Sequence, residues 1–454
     1  MEKVKRRSGF RRYILSFLIA LELLMFFTFL GYIHIPPISI TFAYIPVLIG
    51  ACVLGPAETT ILGAVFGLAS MYKASSNYVM ANDKIFSPFM SGLPLESFLL
   101  SVGSRVLFGL VIGLVFWAAK KRKAPRVWLG IASFLAPRFQ AFLVYGAMGL
   151  FFPETGYHFA SAWAMGWSDL PLAVICMLLT ELAWDLHYSW KPMKEFVAYV
   201  EKSRENERQK KILHRAWGIF MVLIIFCATV IVLYFAERMF VIMNSYGWKL
   251  SDDIRQDFVG LQIQSLLAVL SLDFIMALSL LCVYKYMAYR EYLVELDYLT
   301  GVMGRKLFFR HCENLKKKYQ EHPEKEGWFL FVDVDHFKEI NDAFGHPVGD
   351  QVLQQIAKTL QESFADCGEI GRTGGDEFNV ILEEETEIRE LQKWLDEFLK
   401  SVSGAFPSID KLTCSIGGCR FAYGQPIEDV YTKADQLLYE AKKRVRNCYV
   451  LGKL

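Results

Sequence analysis

The apolar residues of this chain are distributed unevenly, and that distribution restricts its fold more than any other feature. From Tyr13 to about Tyr289 the sequence consists of long apolar blocks, whereas from Glu291 onward apolar and charged residues are mixed. Of the 454 residues, 54% are hydrophobic, which is more than a soluble protein usually carries. We therefore expect an all-α, multi-span membrane half followed by a soluble half.

Apolar stretches of about 20 residues predict membrane-spanning helices. The blocks of this kind are 13–33, 38–54, 57–73, 95–119, 127–151, 169–190, 216–236 and 261–288. The second and third are short and are separated only by Gly55-Pro56, so the total number of spans could differ from eight. No small-residue cleavage site follows the first block, so a cleaved signal peptide is not expected.

Basic residues are clustered before the first block, after the fourth and after the sixth, and the intervening loops carry almost none. Because Lys and Arg are enriched in cytoplasmic loops, eight spans place all three clusters and both termini in the cytoplasm of a bacterial inner membrane. The predicted parts are a six-span bundle at 1–190, a cytoplasmic connector at 191–215, a two-span segment with a signalling helix at 216–296 and a soluble domain at 297–454.

The connector and the signalling helix each have two interpretations. The charged run Glu201–Lys211 is typical of a solvated helix face, and we expect no nucleic-acid partner. Along the last span, Tyr286, Tyr289, Leu293 and Leu296 follow one another at heptad-like spacing. This seam lies where two copies of a membrane protein would meet, although a plain helix end has the same pattern.

The soluble half alternates between strand-like and helix-like segments. Strands are predicted at 328–334, at a hairpin over 369–382 and at 412–420, and helices at 348–364, 388–402 and 430–446. This β-α-β-β-α-β order predicts an α+β domain with helices on one face of its sheet. The nine cysteines have neither zinc-ligand nor disulfide spacing, and Cys414 and Cys419 are expected to be core thiols.

The hairpin carries Arg-Thr-Gly-Gly-Asp-Glu-Phe at 372–378, with the two glycines at its tip. Glycine lets a phosphate approach the backbone, and adjacent carboxylates can hold a hard cation such as Mg²⁺. Alternation along the first strand puts Asp333 and Asp335 on one face. Together with Asp376 and Glu377 they could converge on a pair of divalent cations bound to a triphosphate.

The residues that follow the first strand fit a nucleotide. Lys338 could contact phosphates as a point charge. Asn341, Asp342 and Asp350 have side chains that can pair with the amide face of guanine. His346, between Gly345 and Pro347, would more often be a turn residue.

Six motifs in order resemble one family. They are Asp-Tyr-Leu-Thr-Gly-Val-Met-Gly-Arg (297–305), Asp-Val-Asp-His-Phe-Lys-Glu-Ile-Asn-Asp (333–342), Gly-His-Pro-Val-Gly-Asp (345–350), the 372–378 run, Ser-Ile-Gly (415–417) and Ala-Asp-Gln-Leu-Leu-Tyr-Glu-Ala-Lys (434–442). Together they resemble the GGDEF family of diguanylate cyclases. The resemblance implies a cyclase-like palm fold that condenses two GTP molecules into cyclic di-GMP, releases pyrophosphate and works as a homodimer.

The resemblance also implies roles for single residues. Asp333, the Val334 carbonyl and Asp376 correspond to the ligands of Mg²⁺ or Mn²⁺, and Asp376 to the general base for the 3′-hydroxyl. Lys338 corresponds to the lysine that stabilises the transition state. The nucleotide-recognition positions are Asn341, His346 and Asp350, and the phosphate-contacting pair is Lys442 and Arg446. In-line attack with charge neutralisation by metal and lysine agrees with the chemistry argued above.

This sequence departs from the family pattern at several positions. Thr373 replaces an aromatic residue, Gly304 an asparagine and Val445 a glycine. None of these changes removes a charge, so we expect activity to survive. At the inhibitory product site of the family, Ala365 and Gly368 replace an arginine and an aspartate, so feedback inhibition through that site is not expected.

Residues 38–57 and 62–68 resemble the substrate-binding S components of energy-coupling-factor vitamin transporters. That resemblance implies a bundle that binds a small vitamin-like ligand, although glycine and proline are common in membrane bundles generally. S components dock their energising partner through spaced alanines in the first span. Here that span contains only Ala20, which favours a sensor over a pump.

Ionisable residues inside spans are candidates for ligand contact. By their distance from the cytoplasmic ends, Arg138 and Glu181 are expected to lie at similar depth and to pair. Arg105, nearer the middle of the membrane, is the preferred contact for an anionic ligand.

The sequence thus predicts a membrane receptor, surrounded by lipid, whose diguanylate cyclase domain is gated by a ligand of the bundle. Two alternatives remain. One is a catalytically weak sensor that binds GTP or cyclic di-GMP, and the other is a vitamin-type transporter subunit with a regulatory tail.

Overall fold

The computed structural model describes the chain except for residues 1, 29, 36–37, 77–78, 80, 165–169, 203–206, 249–250, 365–366, 384 and 407–411. Two compact units are present, Met1–Tyr286 and Met287–Leu454. The elements that begin in the first unit are α1 (Glu2–Phe27), β1 (Tyr32–Ile35), β2 (Ile38–Thr41), α2 (Ile45–Val53), α3 (Pro56–Ala74), α4 (Pro94–Phe98), α5 (Ser104–Ala119), α6 (Pro125–Phe151), α7 (Ser161–Ala164), α8 (Leu170–Trp184), α9 (Lys191–Lys202), α10 (Glu207–Ser245) and α11 (Asp252–Val294).

Five helical segments of the described chain are long and apolar enough to cross a membrane. They are Pro94–Ala119, Pro125–Phe151, Leu170–Ser189, Trp217–Ser245 and Ile254–Val294. These segments correspond to the last five of the apolar blocks, so the expected helical membrane half is confirmed for that part of the chain.

The first two blocks differ from expectation. A spanning helix over 38–54 is wrong, because β1 and β2 pair as an antiparallel hairpin and α2 is only nine residues long. At 1.5 Å per residue α2 extends about 14 Å, which is less than the roughly 30 Å hydrocarbon core. The first block also ends early, since α1 stops at Phe27. The third is helical as α3.

Contacts at the basic ends show how the bundle is arranged. Arg11 of α1 pairs with Glu58 of α3 at 2.9 Å. Lys120, which follows α5, donates to the carbonyl oxygens of Ala51 at 3.0 Å and Leu54 at 3.2 Å. The start of α1, the end of α2, the start of α3 and the end of α5 therefore lie at one end of the bundle.

Glycines allow α3 and α5 to pack closely. A Cβ added to Gly63 would overlap the carbonyl oxygen of Arg105, and one added to Gly109 would overlap that of Thr59. Small residues of this kind let helix backbones approach each other closely. Such packing is important in a membrane, because apolar side chains gain little by moving from lipid to protein.

The elements that begin in the second unit are β3 (Met303–Gly304), α12 (Arg305–Lys318), β4 (Glu326–Val334), α13 (Phe337–Phe344), α14 (His346–Phe364), β5 (Gly368–Arg372), β6 (Glu377–Leu382), α15 (Ile388–Gly404), β7 (Cys414–Ala422), α16 (Ile427–Arg444) and β8 (Tyr449–Lys453). The sheet has the order β3-β5-β6-β4-β7-β8. Its centre is antiparallel, and β3 and β8 each pair in parallel with a neighbour. The predicted α+β domain is confirmed.

Helices cover both faces of this sheet, so the prediction of one covered face is wrong. Leu330 and Val332 of β4 lie in a core with α14 and α15, whereas Phe329 and Phe331 lie in a second core with α12 and α16. A strand buried on both faces has a continuous apolar run rather than an alternating one, as β4 does. Where α16 crosses β7, a Cβ at Gly417 would overlap the carbonyl oxygen of Ala434.

Candidate active site

The hairpin between β5 and β6 forms as predicted, with Gly374 and Gly375 at its tip. The backbone N–H of Thr373 donates to the carbonyl oxygen of Glu377 at 3.0 Å and closes the turn. Arg372 braces the tip, because its Nε and Nη2 donate to the carbonyl oxygen of Gly375 at 3.2 and 2.7 Å. The hairpin tip is therefore fixed by side-chain as well as backbone hydrogen bonds.

The structure brings the end of β4 and the hairpin together. Asp333 pairs in register with Glu377 of β6, and the Val334 N–H donates to the carbonyl oxygen of Asp376 at 3.3 Å. The Nζ atom of Lys442, from the last turn of α16, lies 2.7 Å from Asp333 Oδ1. Asp333, Val334, Asp376 and Lys442 thus form one cluster.

Electrostatics at this cluster favour a bound cation. Burial, together with the nearby charges of Asp376 and Asp335, raises the pKa of Asp333 to about 6, although Lys442 acts in the opposite direction. Burial and the charge of Asp376 likewise raise the pKa of Glu377. A preformed group of metal-binding side chains is not found among the described residues. Carboxylate and carbonyl oxygens in excess of positive charge nevertheless are the donor set that Mg²⁺ or Mn²⁺ prefers.

Asp335 does not join this cluster as the strand alternation predicted. Its Oδ1 accepts a hydrogen bond from Ser415 Oγ at 2.7 Å. Its Oδ2 accepts one from Thr413 Oγ1 at 2.8 Å and one from the Asn447 N–H at 3.1 Å. Asp335 follows the last residue of β4, so the alternation of the strand no longer determines its direction.

The expected nucleotide-recognition residues lie on α13 and at the start of α14. Gly345 ends α13 with φ of 83°, which favours glycine. Gly349 leaves room for a neighbour, because a Cβ there would overlap Asn341 Oδ1. Lys338, His346 and Asp350 are exposed.

The expected basic pair lies in the last turn of α16 and just after that helix. Lys442 contacts Asp333, whereas Arg446 is exposed and follows the helix in a left-handed turn with Asn447, at φ of 56° and 47°. Val445 has φ of −142° and is 87% exposed. The valine in place of glycine therefore meets neither backbone strain nor a close neighbour at this position.

The other departures from the family pattern are accommodated locally. The Thr373 hydroxyl accepts a hydrogen bond from Asn379 Nδ2, and its carbonyl accepts one from Arg305 at 3.3 Å. A Cβ at Gly304 would lie 2.7 Å from the carbonyl oxygen of Glu295, and one at Gly368 would overlap that of Ile381. Ala365 lies outside the described residues.

One contact of the hairpin was missed by sequence reasoning. The Nη1 atom of Arg372 donates to Asp297 Oδ1 at 3.0 Å, and Asp297 also accepts from the Thr300 N–H at 2.9 Å and hydroxyl at 2.6 Å. Burial acts to raise the pKa of Asp297, but these hydrogen bonds outweigh it and lower the pKa. The Asp-Tyr-Leu-Thr-Gly motif was a signal for the local turn, yet not for its distant partner.

Candidate residues of the membrane half are arranged differently from expectation. Glu181 pairs with Arg126 at 3.3 Å rather than with Arg138. A Cβ at Gly130 would lie 3.1 Å from Glu181 Oε1, and Arg138 is eight residues, or about 12 Å, further along α6. The two residues expected to pair therefore lie at different depths.

Arg105 and Glu22 are both buried in the bundle. Arg105 Nη1 donates to the Leu100 carbonyl oxygen at 2.6 Å and to Ser104 Oγ at 3.0 Å, and its guanidinium lies 5.0 Å from the ring centre of Phe86. Glu22 of α1 is fully buried, and neither carboxylate oxygen has a hydrogen-bond partner among the described residues. Sequence reasoning missed Glu22, although a lone acid inside an apolar block is itself a signal.

Comparison with known proteins gives a match on the second unit. Residues 294–448 match the family model described as "Diguanylate cyclase, GGDEF domain". The probable diguanylate cyclase DgcI of Escherichia coli K12 is 40% identical over 152 residues, which are 33% of this chain and 32% of that protein. The diguanylate cyclase DgcS of Shewanella oneidensis is 31% identical over 172 residues, 37% of this chain and 56% of that protein.

A solved structure, the coiled coil and GGDEF domain of DgcB from Caulobacter crescentus in complex with c-di-GMP, has a TM-score of 0.35 and 25% identity and covers 38% of this chain and 94% of that one. The chain spans 32% and 56% of the lengths of the two curated relatives. The segment matched by the family model contains the hairpin, the end of β4, and both Lys442 and Arg446.

Proposed function

We propose that the GGDEF domain of this chain condenses two GTP molecules into cyclic di-GMP and releases two pyrophosphates. The observation that carries this proposal is the convergence of Asp333, the Val334 backbone and Asp376 beside Lys442. Similarity to proteins named as diguanylate cyclases supports it. The locally accommodated changes at Thr373 and Val445 support a competent rather than a degenerate site.

Each residue of the cluster has a part in the proposed reaction. Asp333, the Val334 carbonyl and Asp376 would hold Mg²⁺ or Mn²⁺, which supplies charge neutralisation and acidifies the attacking hydroxyl. Asp376 takes the proton of the 3′-hydroxyl. That oxygen attacks the α-phosphorus of the GTP held by the other domain, and pyrophosphate leaves.

The remaining residues bind the substrate. Lys338, Lys442 and Arg446 neutralise the triphosphate, and Lys442, which contacts Asp333 in this structure, would contact phosphate when Asp333 holds the metal. The guanine is recognised by Asn341, His346 and Asp350. The Asn341 side chain can take its position because Gly349 has no Cβ that would overlap Asn341 Oδ1.

The reaction requires a homodimer, because each domain holds one GTP and the bonds form between the two. Residues of the α11 seam are candidates for the contact between copies. Tyr286 and Leu293 are 42% and 39% exposed, whereas Tyr289 is buried at 5%. Tyr286 and Leu293 are therefore the part of the seam that a second copy could contact.

We further propose that the chain is a receptor in a bacterial inner membrane, with both termini in the cytoplasm. Arg11, Lys120 and Arg126 belong to basic clusters, and contacts of Arg11 and Lys120 place helix ends at one end of the bundle. Basic residues at one end are the usual mark of the cytoplasmic side.

The bundle at 1–190 is proposed to bind a small, vitamin-like ligand that gates the cyclase. Arg105 already donates to Leu100 and Ser104, and Glu181 already accepts from Arg126. Glu22 is therefore the side chain that a ligand with hydrogen-bond donors would contact first. Arg105, Arg138 and Glu181 are retained as further candidates for contact. Native mass spectrometry of the purified full chain, before and after exchange into delipidating detergent, would reveal a bound small molecule.

The cyclase proposal is tested by incubating the purified full-length chain with GTP and Mg²⁺ and quantifying cyclic di-GMP, with Asp376→Ala as the inactive control. The same assay separates the second candidate, a GTP- or cyclic di-GMP-binding sensor. That sensor would bind GTP and leave it unconverted.

A further inference from the structure

Asp335 is a buried carboxylate with three hydrogen bonds and no part in the proposed reaction. Only 2% of the residue is exposed. One oxygen accepts the hydroxyl of Ser415 at 2.7 Å, and the other accepts the hydroxyl of Thr413 at 2.8 Å and the backbone N–H of Asn447 at 3.1 Å. Hydrogen bonds to a carboxylate are stronger than neutral ones, so these contacts hold two later chain segments, at 413–415 and at Asn447, to the residue that follows β4.

The segment held through Asn447 is an unusual turn. Arg446 and Asn447 both have positive φ, 56° and 47°, in the short connection between α16 and β8. Asn tolerates the left-handed region, but Arg does so at a cost in free energy. Such a conformation persists only when its surroundings hold it. Asp335 supplies that hold by accepting the N–H directly after Arg446.

The turn is attached to the active site from two sides. Lys442, one helical turn before Arg446, contacts Asp333 at 2.7 Å. Asp333 and Asp335 are separated by one residue. In the pairing of β4 with β7, Asp333 lies opposite Ser415, whose hydroxyl donates to Asp335. The segment 333–335 therefore binds the end of α16 through one carboxylate and the following turn through the next.

We propose that Asp335 is a positioning residue for Arg446, and that it directs the Arg446 guanidinium toward the triphosphate by holding the left-handed turn. This inference rests on the proposed function, in which Arg446 binds phosphate. Asp335 touches neither substrate nor metal. Its effect therefore falls on GTP affinity and passes through Arg446.

A double-mutant cycle in the full-length chain tests this relationship. Asp335→Ala and Arg446→Ala are each expected to raise both the Kd and the KM for GTP about tenfold or more, with a smaller change in kcat. Because both changes remove the same contact, the double variant should bind GTP no more than about threefold more weakly than Arg446→Ala alone. Two independent, additive effects on Kd would overturn the proposal, and so would a fall in kcat at unchanged Kd.

Conservative variants separate positioning from folding. In Asp335→Asn the amide oxygen can still accept from Thr413 and Asn447 while the amide nitrogen donates to Ser415 Oγ, so Kd should stay within about threefold of the original. Ser415→Ala removes only the contact to Oδ1, and it should also leave Kd nearly unchanged. A tenfold loss in Ser415→Ala would contradict a specific link to the turn.

If Asp335→Ala does not fold, Asn447→Pro carries the test. Proline lacks the N–H and cannot adopt positive φ, so it releases the turn while Asp335 keeps its bonds to Thr413 and Ser415. Unchanged GTP affinity in a folded Asn447→Pro variant would overturn the proposal. A chain that binds GTP but makes no cyclic di-GMP would refute the cyclase function alone, since the Kd cycle remains measurable. A chain that binds no GTP would refute both.

Discussion

Lys442 Nζ lies 2.7 Å from Asp333 Oδ1, so the ammonium group at the end of α16 contacts the carboxylate near the end of β4. The contact joins residues that are far apart in the chain. It also makes the protonation of Asp333 depend on Lys442, because the ammonium group favours the ionised carboxylate while burial opposes it.

The affinity for a divalent cation should therefore depend on pH. The pKa of Asp333 is raised to about 6, so the carboxylate is protonated below that pH and cannot serve as a metal ligand. Mn²⁺ binding to the full chain, measured by calorimetry, should weaken about tenfold per pH unit below pH 6. In Lys442→Met the midpoint should move to higher pH, because the neighbouring cation is lost.

Lys443→Met is the matched control for that shift, since Lys443 stacks on Tyr439 and does not contact Asp333. A pH midpoint that moves equally in both lysine variants would contradict the assigned pair. The raised pKa has a second consequence for the metal-free domain. Protonated Asp333 stabilises the folded domain; this contribution is fully present below the ordinary pKa near 3.8 and is lost as the pH rises through 6. Because asparagine is never ionised, Asp333→Asn should be more stable than the original chain at pH 8.

Breaking the ion pair of Arg372 with Asp297 should loosen the hairpin locally. Arg372 also donates twice to the Gly375 carbonyl, so the pair connects the hairpin tip to the first motif of the domain. In Asp297→Asn we expect hydrogen exchange of peptides covering 368–382 to accelerate, which corresponds to a loss of about 1–2 kcal/mol. Because the pKa of Asp297 is lowered, the same loosening should appear in the original chain only as the pH falls below the usual range of a carboxyl.

Exchange of peptides in α15, on the other side of the sheet from α12, is the internal reference for that experiment. Uniform acceleration in both regions would mean that the ion pair stabilises the whole domain rather than the hairpin. Unchanged exchange at 368–382 would remove the pair from any role at the tip.

Thr373 and Asn379 should behave as a coupled pair. Thr373→Val removes the acceptor of the buried Asn379 amide and should cost about 1–3 kcal/mol, seen as a lower unfolding temperature of the second unit. Thr373→Ser keeps the hydroxyl and should cost less. Adding Asn379→Leu to Thr373→Val should recover part of the loss, because both polar partners are then removed; a further loss of stability would contradict the coupling.

Glu22 should destabilise the membrane bundle when no ligand is bound. Its carboxylate is fully buried without a hydrogen-bond partner among the described residues. Glu22→Leu should therefore raise the unfolding temperature of the detergent-solubilised chain, by an amount equivalent to about 1–3 kcal/mol. The conservative Glu22→Gln retains a buried polar group and should give a smaller gain. A lower unfolding temperature in Glu22→Leu would mean that the carboxylate is satisfied in the folded bundle.

The parts of the fold that were predictable from sequence carry local signals. Two consecutive glycines flanked by strand residues define the β5–β6 hairpin, and a continuous apolar run defines β4. Asp333 and Asp376 could be assigned together because each lies beside one of these elements. The same run in β4 also indicated two covered faces, and that signal was overlooked.

The parts that were not predictable depend on distant segments or on chain direction after an element ends. Asp335 follows β4 by one residue, and its partners Thr413 and Asn447 come from two later segments. Asp297, the partner of Arg372, lies 75 residues earlier in the chain. Helix α2 is short because the residues before it pair as a hairpin instead of forming a longer helix. Local periodicity contains none of this information.

Product formation by the full-length chain in lipid nanodiscs decides whether the cluster at Asp333 and Asp376 makes cyclic di-GMP. The original chain, given GTP and Mg²⁺, should form cyclic di-GMP. Asp376→Ala should form at least about a hundredfold less, and Glu362→Gln, an exposed carboxylate change on α14, should be as active as the original. If the original chain binds GTP and yields no cyclic di-GMP, or if Asp376→Ala is as active as the original, this cluster is not a diguanylate cyclase site.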